Sequence, residues 1–285
     1  MKALAQWAMN GQRQATLAAA ICLALPMLFW LGAALLALVI LRQGFREGNS
    51  VVMWALLPAI AWLAAGDPTP LLTAVGASAL AVLLRQSVRL DKTVMVSAIL
   101  GIAVYFMLPL LWSGLVALVA SNSDQFLLDA LPQHPELHAQ LKPLLVPMVS
   151  GVLAALHTLV FMLCLLLGRY WQSELFNVGG FGREFKQLRL PLAYCAFVVL
   201  MMLVVGQLPP DLAGIMPVLT VPMMIAAMAL FHGLATNAQA SPAWLVLFYI
   251  VLVMFGPYMY TLLIFVALVD SVFNFRARQK DTAAK

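Results

Sequence analysis

Long uncharged apolar stretches alternate along this chain with short clusters of charge. Runs free of Asp, Glu, Lys and Arg occupy 15–41, 51–65, 70–84, 93–120, 143–168, 190–206, 212–231 and 242–268. Their apolar residues are continuous rather than alternating with a period of two, which is the pattern of membrane helices and not of barrel strands. A backbone in hydrocarbon finds no water to bond, so each run predicts a helix that satisfies its own N–H and C=O groups. About 20 residues carry a helix across the hydrocarbon. Runs 51–65 and 70–84 are therefore short, and Gly66, Asp67, Pro68 and Pro70 between them predict a hairpin. Runs 15–41 and 242–268 are too long for one straight helix. Each has a breaker near its middle, Pro26 in the first and Gly256 with Pro257 in the second. Read as reversals, these breaks predict an all-α polytopic transmembrane bundle with about eight to ten membrane segments, short hairpins included.

Composition removes the soluble alternatives. Of 285 residues, 64% are hydrophobic and 9% charged. A soluble domain of this length buries about three quarters of its unfolded surface and must cover the rest with polar groups. Sixteen Lys and Arg with eleven Asp and Glu cannot do that. A cytosolic enzyme and a disordered chain are excluded, and three cysteines exclude a disulfide scaffold. The formal net charge of +5 reads as topology rather than as a nucleic-acid surface. With reversals at Pro26 and Pro257, every basic residue except Lys142 falls on one side, the cytoplasmic side by the positive-inside rule. Were 15–41 a single kinked span, the N-terminus would lie outside. Both versions put the C-terminus in the cytoplasm.

Two stretches carry a family resemblance. The segment LGAALLALVILRQGFREG at 31–48 and the connector FNVGGFGREFKQLRLP at 176–191 resemble the YybS-like family of bacterial membrane proteins, a domain of unknown function. That family is similar in its N-terminal part to the substrate-capture (S) components of energy-coupling-factor transporters. The likeness covers about 15–273 and implies a multi-pass protein of the bacterial cytoplasmic (inner) membrane. It implies an S-component-like helical region over 1–168, with an outer amphipathic loop at 121–142. A basic aromatic cytoplasmic connector at 169–189, C-terminal transmembrane helices at 190–275 and a cytoplasmic tail at 276–285 complete the expected organisation. In S components a small-xxx-small stripe on the first helix contacts the energy-coupling subunit. Ala15 with Ala19, and Ala20 with Ala24, have that spacing. The same spacing also serves close packing within one chain.

Candidate chemistry is sparse. His157 is the one ionisable side chain besides Cys and Tyr near the middle of a run, and it reads either as a ligand contact or as a hydrogen-bonded interhelical group. Thr158, Tyr105, Tyr258 and Tyr260 add hydroxyls to a ligand cavity, the last two only if the Gly256 break lies within the membrane; at its surface they form an aromatic belt. Within the connector, Trp171, Phe181, Arg183, Phe185, Lys186 and Arg189 interleave aromatic and basic groups. That pattern fits membrane anchoring, docking of a membrane or cytoplasmic partner subunit, or contact with anionic lipid. In 121–142, Phe126, Leu127, Leu131, Leu137 and Leu141 predict an amphipathic segment lying on the bilayer. His134, Glu136 and His138 lack a metal-ligand spacing, and Cys22, Cys164 and Cys195 read as packing residues. Asp270 is expected at the interface, paired with Arg276. Gly179, Gly180 and Gly182 are not followed by the Lys-Ser or Lys-Thr of a P-loop, and no nucleophile–base or paired-carboxylate arrangement is visible. The expectation is a non-enzyme without cofactor or metal: a transporter-like module that binds a small, partly apolar solute and has no ATP site of its own. The alternative is a membrane scaffold or assembly factor acting through the connector.

Overall fold

The computed structural model describes residues 2–277, which form fifteen α-helices and one 3-10 turn. The first apolar run becomes two helices. After a short α1 (Lys2–Ala8), α2 (Gln12–Ala24) runs up and α3 (Phe29–Gln43) runs back beside it, the chain reversing at 25–28 around Pro26. The two approach closely at Gly32, where a Cβ would stand 2.9 Å from the Ala19 carbonyl oxygen. Next, α4 (Phe45–Ala55) and α5 (Leu57–Ala64) form one path bent by 43° at Leu56, and α6 (Thr69–Ser87) returns from the expected hairpin. That turn is closed by Asp67, whose N–H donates to the Trp62 carbonyl and whose Oδ1 accepts from the Thr69 N–H, both at 2.9 Å. Gly66 takes the left-handed conformation there, at φ +95°.

Two expectations are corrected. The run 93–120 is not one helix: α7 (Leu90–Leu111) stops shortly after Pro109, and α8 (Ser113–Ala130) restarts beyond Trp112. Proline lacks the N–H that would continue the ladder and crowds the carbonyl four residues back. Nor is 121–142 a loop. It is helical on both sides of a turn at 131–134, and it pairs with itself as the antiparallel hairpin of α8 and the start of α9 (Pro135–Phe176). Lys142 Nζ reaches Asp124 Oδ2 across it at 2.7 Å. The apolar spacing that suits a helix lying on a bilayer also suits a helix packed on its neighbour, and Leu127 is buried in this way. At 42 residues, α9 is roughly 60 Å long, about twice the hydrocarbon thickness. The hairpin therefore projects past the body of the bundle.

The core has two centres. From Gly32 to Leu41, α3 is buried on every side, enclosed by α2, α6 and α9. The second centre is α13 (Met216–Asn237), against α7, α9 and α15 (Gly256–Phe273). Between them the chain passes through α10 (Gly180–Lys186), α11 (Leu192–Val204) and α12 (Pro210–Ala213). Tyr260 near the start of α15 hydrogen-bonds Thr220 near the start of α13, and Arg276 beyond the end of α15 lies against Gly233 near the end of α13. The two helices thus run in the same direction, and α14 (Pro242–Met254) is the arm that carries the chain back between them. The chain reverses at Phe255, next to Gly256.

Among the described residues five helices are long and apolar enough to cross a membrane: Thr69–Ser87, Leu90–Leu111, Glu136–Phe176, Pro210–Asn237 and Gly256–Phe273. Counting the bent α4–α5 pair gives six, and Phe29–Gln43, Leu192–Gln207 and Pro242–Met254 are shorter apolar helices. A chain so built is a multi-pass membrane protein, its outward apolar faces in contact with lipid. The beginning of α1 and the end of α15 lie at one end of the bundle, since Lys2 Nζ pairs with Glu174 of α9 at 3.3 Å and Arg276 lies beside Gly233. The tail expected at 276–285 falls outside the described residues from Arg278 onward.

Candidate functional site

His157 sits on α9 and is 6% exposed. Its Nδ1–H donates to the Leu153 carbonyl at 2.8 Å, and the ring meets Trp112 edge-on at 6.4 Å between centroids. This leaves Nε2 buried with no protein partner. Thr158 donates to the Ala154 carbonyl at 2.7 Å and packs where Gly101 of α7 leaves room for it. Tyr105 donates to the Asp211 carbonyl at 2.8 Å and ties α7 to α12. These three residues join helices rather than converge on a common space.

A cavity of about 680 Å³ opens elsewhere, between α9, α11, α13 and α15. Met148, Met202, Met216 and Met224 line it, with Pro257 and Tyr260 at the α14–α15 break. Methionine is unbranched and polarizable, so such a wall adapts to the shape of what it holds. The wall that the cavity presents is apolar: behind it Tyr260 and Thr220 share a hydrogen bond between hydroxyls, and Thr220, itself buried, donates in turn to the Pro217 carbonyl at 2.8 Å. Of the two tyrosines expected together, only Tyr260 lines this cavity. Tyr258, two residues earlier and so on the other side of α15, is 81% exposed. The Met216–Thr220–Met224 stripe has helical i, i+4, i+8 spacing and was open to sequence reasoning; what α9 and α15 place opposite it was not.

At the basic end, the connector folds onto the bundle. Trp171 is 1% exposed and is among the largest fully buried side chains. Phe181 stacks on Phe185 at 5.6 Å and meets Tyr170 edge-on, while Phe185 meets His232 of α13. Ser173 Oγ accepts from the Phe181 N–H at 3.0 Å and donates to the Asn177 carbonyl at 2.8 Å, closing the turn that leaves α9. The Lys186 carbonyl packs on Gly233. Arg189 donates to the carbonyls of Asp270 at 3.0 Å and Ser271 at 2.5 Å. Arg183 points to the surface. Ala19 is buried at the α2–α3 contact, and Ala15 is buried as well.

Asp270 is paired with Arg276 at 3.2 Å as expected, and both are buried within the protein. Asp270 Oδ1 also accepts from the Phe275 N–H at 3.1 Å. Burial pushes the Arg276 guanidinium below its ordinary range, against the pull of Asp270, and its Nε and Nη2 have no hydrogen-bond partner. Among the described residues no three His, Cys, Asp or Glu side chains gather as metal ligands. His134 contacts Glu136 at 3.1 Å, and His138 donates to the Leu131 carbonyl at 3.0 Å. Cys22, Cys164 and Cys195 are free and buried. No protein-family model matches the chain, and no curated protein or solved structure matches it.

Proposed function

We propose that this protein is a binding module of the bacterial inner membrane, holding a small, partly apolar solute in the cavity between α9, α11, α13 and α15. Ten membrane segments, with both termini in the cytoplasm, fit the helix order and the gathering of basic residues at one end. The observation that carries the reading is the methionine-lined space of about 680 Å³, with the Tyr260–Thr220 hydroxyl pair just behind its apolar wall. A solute already dissolved in lipid gains little by moving into an equally apolar cavity, because the hydrophobic drive is absent between the two. Selection then rests on shape and on a polar group able to take the Tyr260 hydroxyl from Thr220, which is why the solute is partly apolar rather than a hydrocarbon. The resemblance to the YybS-like family, and through it to S components, fits capture rather than turnover, with energy supplied by a partner subunit.

Native mass spectrometry of the protein in lipid nanodiscs tests this. The wild type is expected to retain a small molecule. Ala155→Phe, which fills the cavity from α9, is expected to lose it, and Tyr260→Phe to weaken it roughly two- to tenfold, the worth of one hydrogen bond. A wild type with no small molecule but a stoichiometric protein partner would replace this reading with the scaffold or assembly-factor one.

A further inference from the structure

A second cavity, of about 460 Å³, lies at the basic end where α3 and α6 terminate against α9 and α10. Arg85, Arg169, Gln172 and Glu184 form its polar wall; Leu41, Leu84 and Val88 form the apolar one. The polar groups are held in place by the protein itself. Arg85 Nη1 donates to the carbonyls of Leu41 at 2.5 Å and Arg42 at 2.9 Å, among those that the end of α3 leaves without helical partners. Gln172 Nε2 donates to the same Leu41 carbonyl at 3.0 Å. Arg169 Nη2 pairs with Glu184 Oε2 at 2.8 Å. Gly44, at φ +92°, leaves room for the Arg85 guanidinium, since a Cβ there would stand 3.2 Å from Nε.

The arrangement leaves more donors than the protein uses. Each guanidinium presents five N–H groups in a fixed fork. Arg85 uses Nη1 on the helix end and keeps Nε and Nη2; Arg169 uses Nη2 on Glu184 and keeps Nε and Nη1. Two positive charges face one carboxylate, so the cavity carries a net positive charge. Planar forked donors of this kind match the oxygens of a phosphate. The rim adds a second clue. Val88 is a β-branched residue in the left-handed conformation, at φ +52°, and is 81% exposed beside this charged wall. An apolar side chain presented there suits a ligand whose phosphate continues into an apolar part.

We propose that this cavity binds a phosphate-type anion, the headgroup of a negatively charged membrane lipid being the source its apolar rim favours. It is independent of the solute cavity at the α14–α15 break. The test uses the full-length protein, delipidated in detergent, and titrates it separately with phosphatidylglycerol and with inorganic phosphate, read by native mass spectrometry. Arg169→Gln is expected to weaken binding roughly tenfold or more, the worth of a charged hydrogen bond. Glu184→Gln is expected to strengthen it severalfold, because it removes the one competing carboxylate. A merely structural Arg169–Glu184 pair predicts the opposite for Glu184→Gln: a less stable protein and no gain in binding. Retention of the lipid upholds the site with a headgroup as ligand, and binding of inorganic phosphate alone upholds it with a soluble phosphate compound. Binding of neither, or the same loss in both variants, overturns it.

Discussion

Asp270 meets two arginines at the basic end of the bundle. Its carboxylate is the charge that faces buried Arg276, and its backbone carbonyl receives Arg189 from the connector. Removing one member of a buried pair strands the other without compensation, at about 3–5 kcal/mol, whereas replacing both by apolar groups is often neutral. Asp270→Asn is therefore expected to lower stability by that amount, and Asp270→Leu with Arg276→Met to recover most of it. Reversible unfolding of the detergent-solubilised protein measures both; an Asp270→Asn protein as stable as the wild type would show the pair to be idle. The partner was legible in the sequence because Arg276 is a near neighbour along the chain; the structure adds that Asn274, a residue that tolerates the left-handed conformation, ends α15 at φ +49° and turns the chain back onto it. Arg189 was not legible in this role, since it arrives from 81 residues away. His157 shows the same limit from the other direction: a lone intramembrane histidine drew attention, but its ring is held by Leu153 and Trp112 on a face of α9 that the solute cavity does not use.

Between elements, backbone contact through small residues governs how the helices assemble. At Gly168 a Cβ would stand 2.8 Å from the Ala34 carbonyl oxygen and 3.0 Å from the Leu38 nitrogen, so α3 and α9 touch main chain to main chain. Gly206, beyond α11, has open space around it. Gly168→Leu is expected to cost about 1–3 kcal/mol, or more where the helices cannot separate, and Gly206→Ala to change little. A thermal-melting comparison of the two variants checks this, and equal losses would mean that the α3–α9 contact is looser than described. The helices themselves were largely readable, because every uncharged run is helical over most of its length and the turn at Gly66 and Asp67 fell where its residues required. Their partners were not. Apolar spacing reports which face is buried without naming what buries it: in 121–142, read as a segment on the bilayer, Leu127 is covered by the chain itself while Phe126 stays exposed. Likewise, the connector's aromatics read as membrane anchors, a docking surface or a lipid contact, while Trp171 is buried in the core and Phe185 meets His232 of the protein's own α13.

For the whole molecule, the fold and the charge distribution make separable statements about sidedness. The ion pair between Lys2 and Glu174 puts the beginning of the chain at the same end as the connector, whichever way the bundle sits in the bilayer. The choice of side rests on the positive-inside rule alone, with Lys142 on the projecting hairpin at the opposite end. Single cysteines at Lys2, Arg183 and Lys142, introduced after Cys22, Cys164 and Cys195 are replaced by alanine, distinguish the two with a membrane-impermeant thiol reagent. Lys142→Cys is expected to label in intact cells, and Lys2→Cys and Arg183→Cys only after permeabilisation. Opposite behaviour of Lys2→Cys and Arg183→Cys would remove the reversal at Pro26 and with it the α2–α3 hairpin. If those two label together from outside while Lys142→Cys does not, the fold stands and the orientation inverts. The basic cavity would then face away from the cytoplasm, and an anionic headgroup would have to reach it from the outer leaflet.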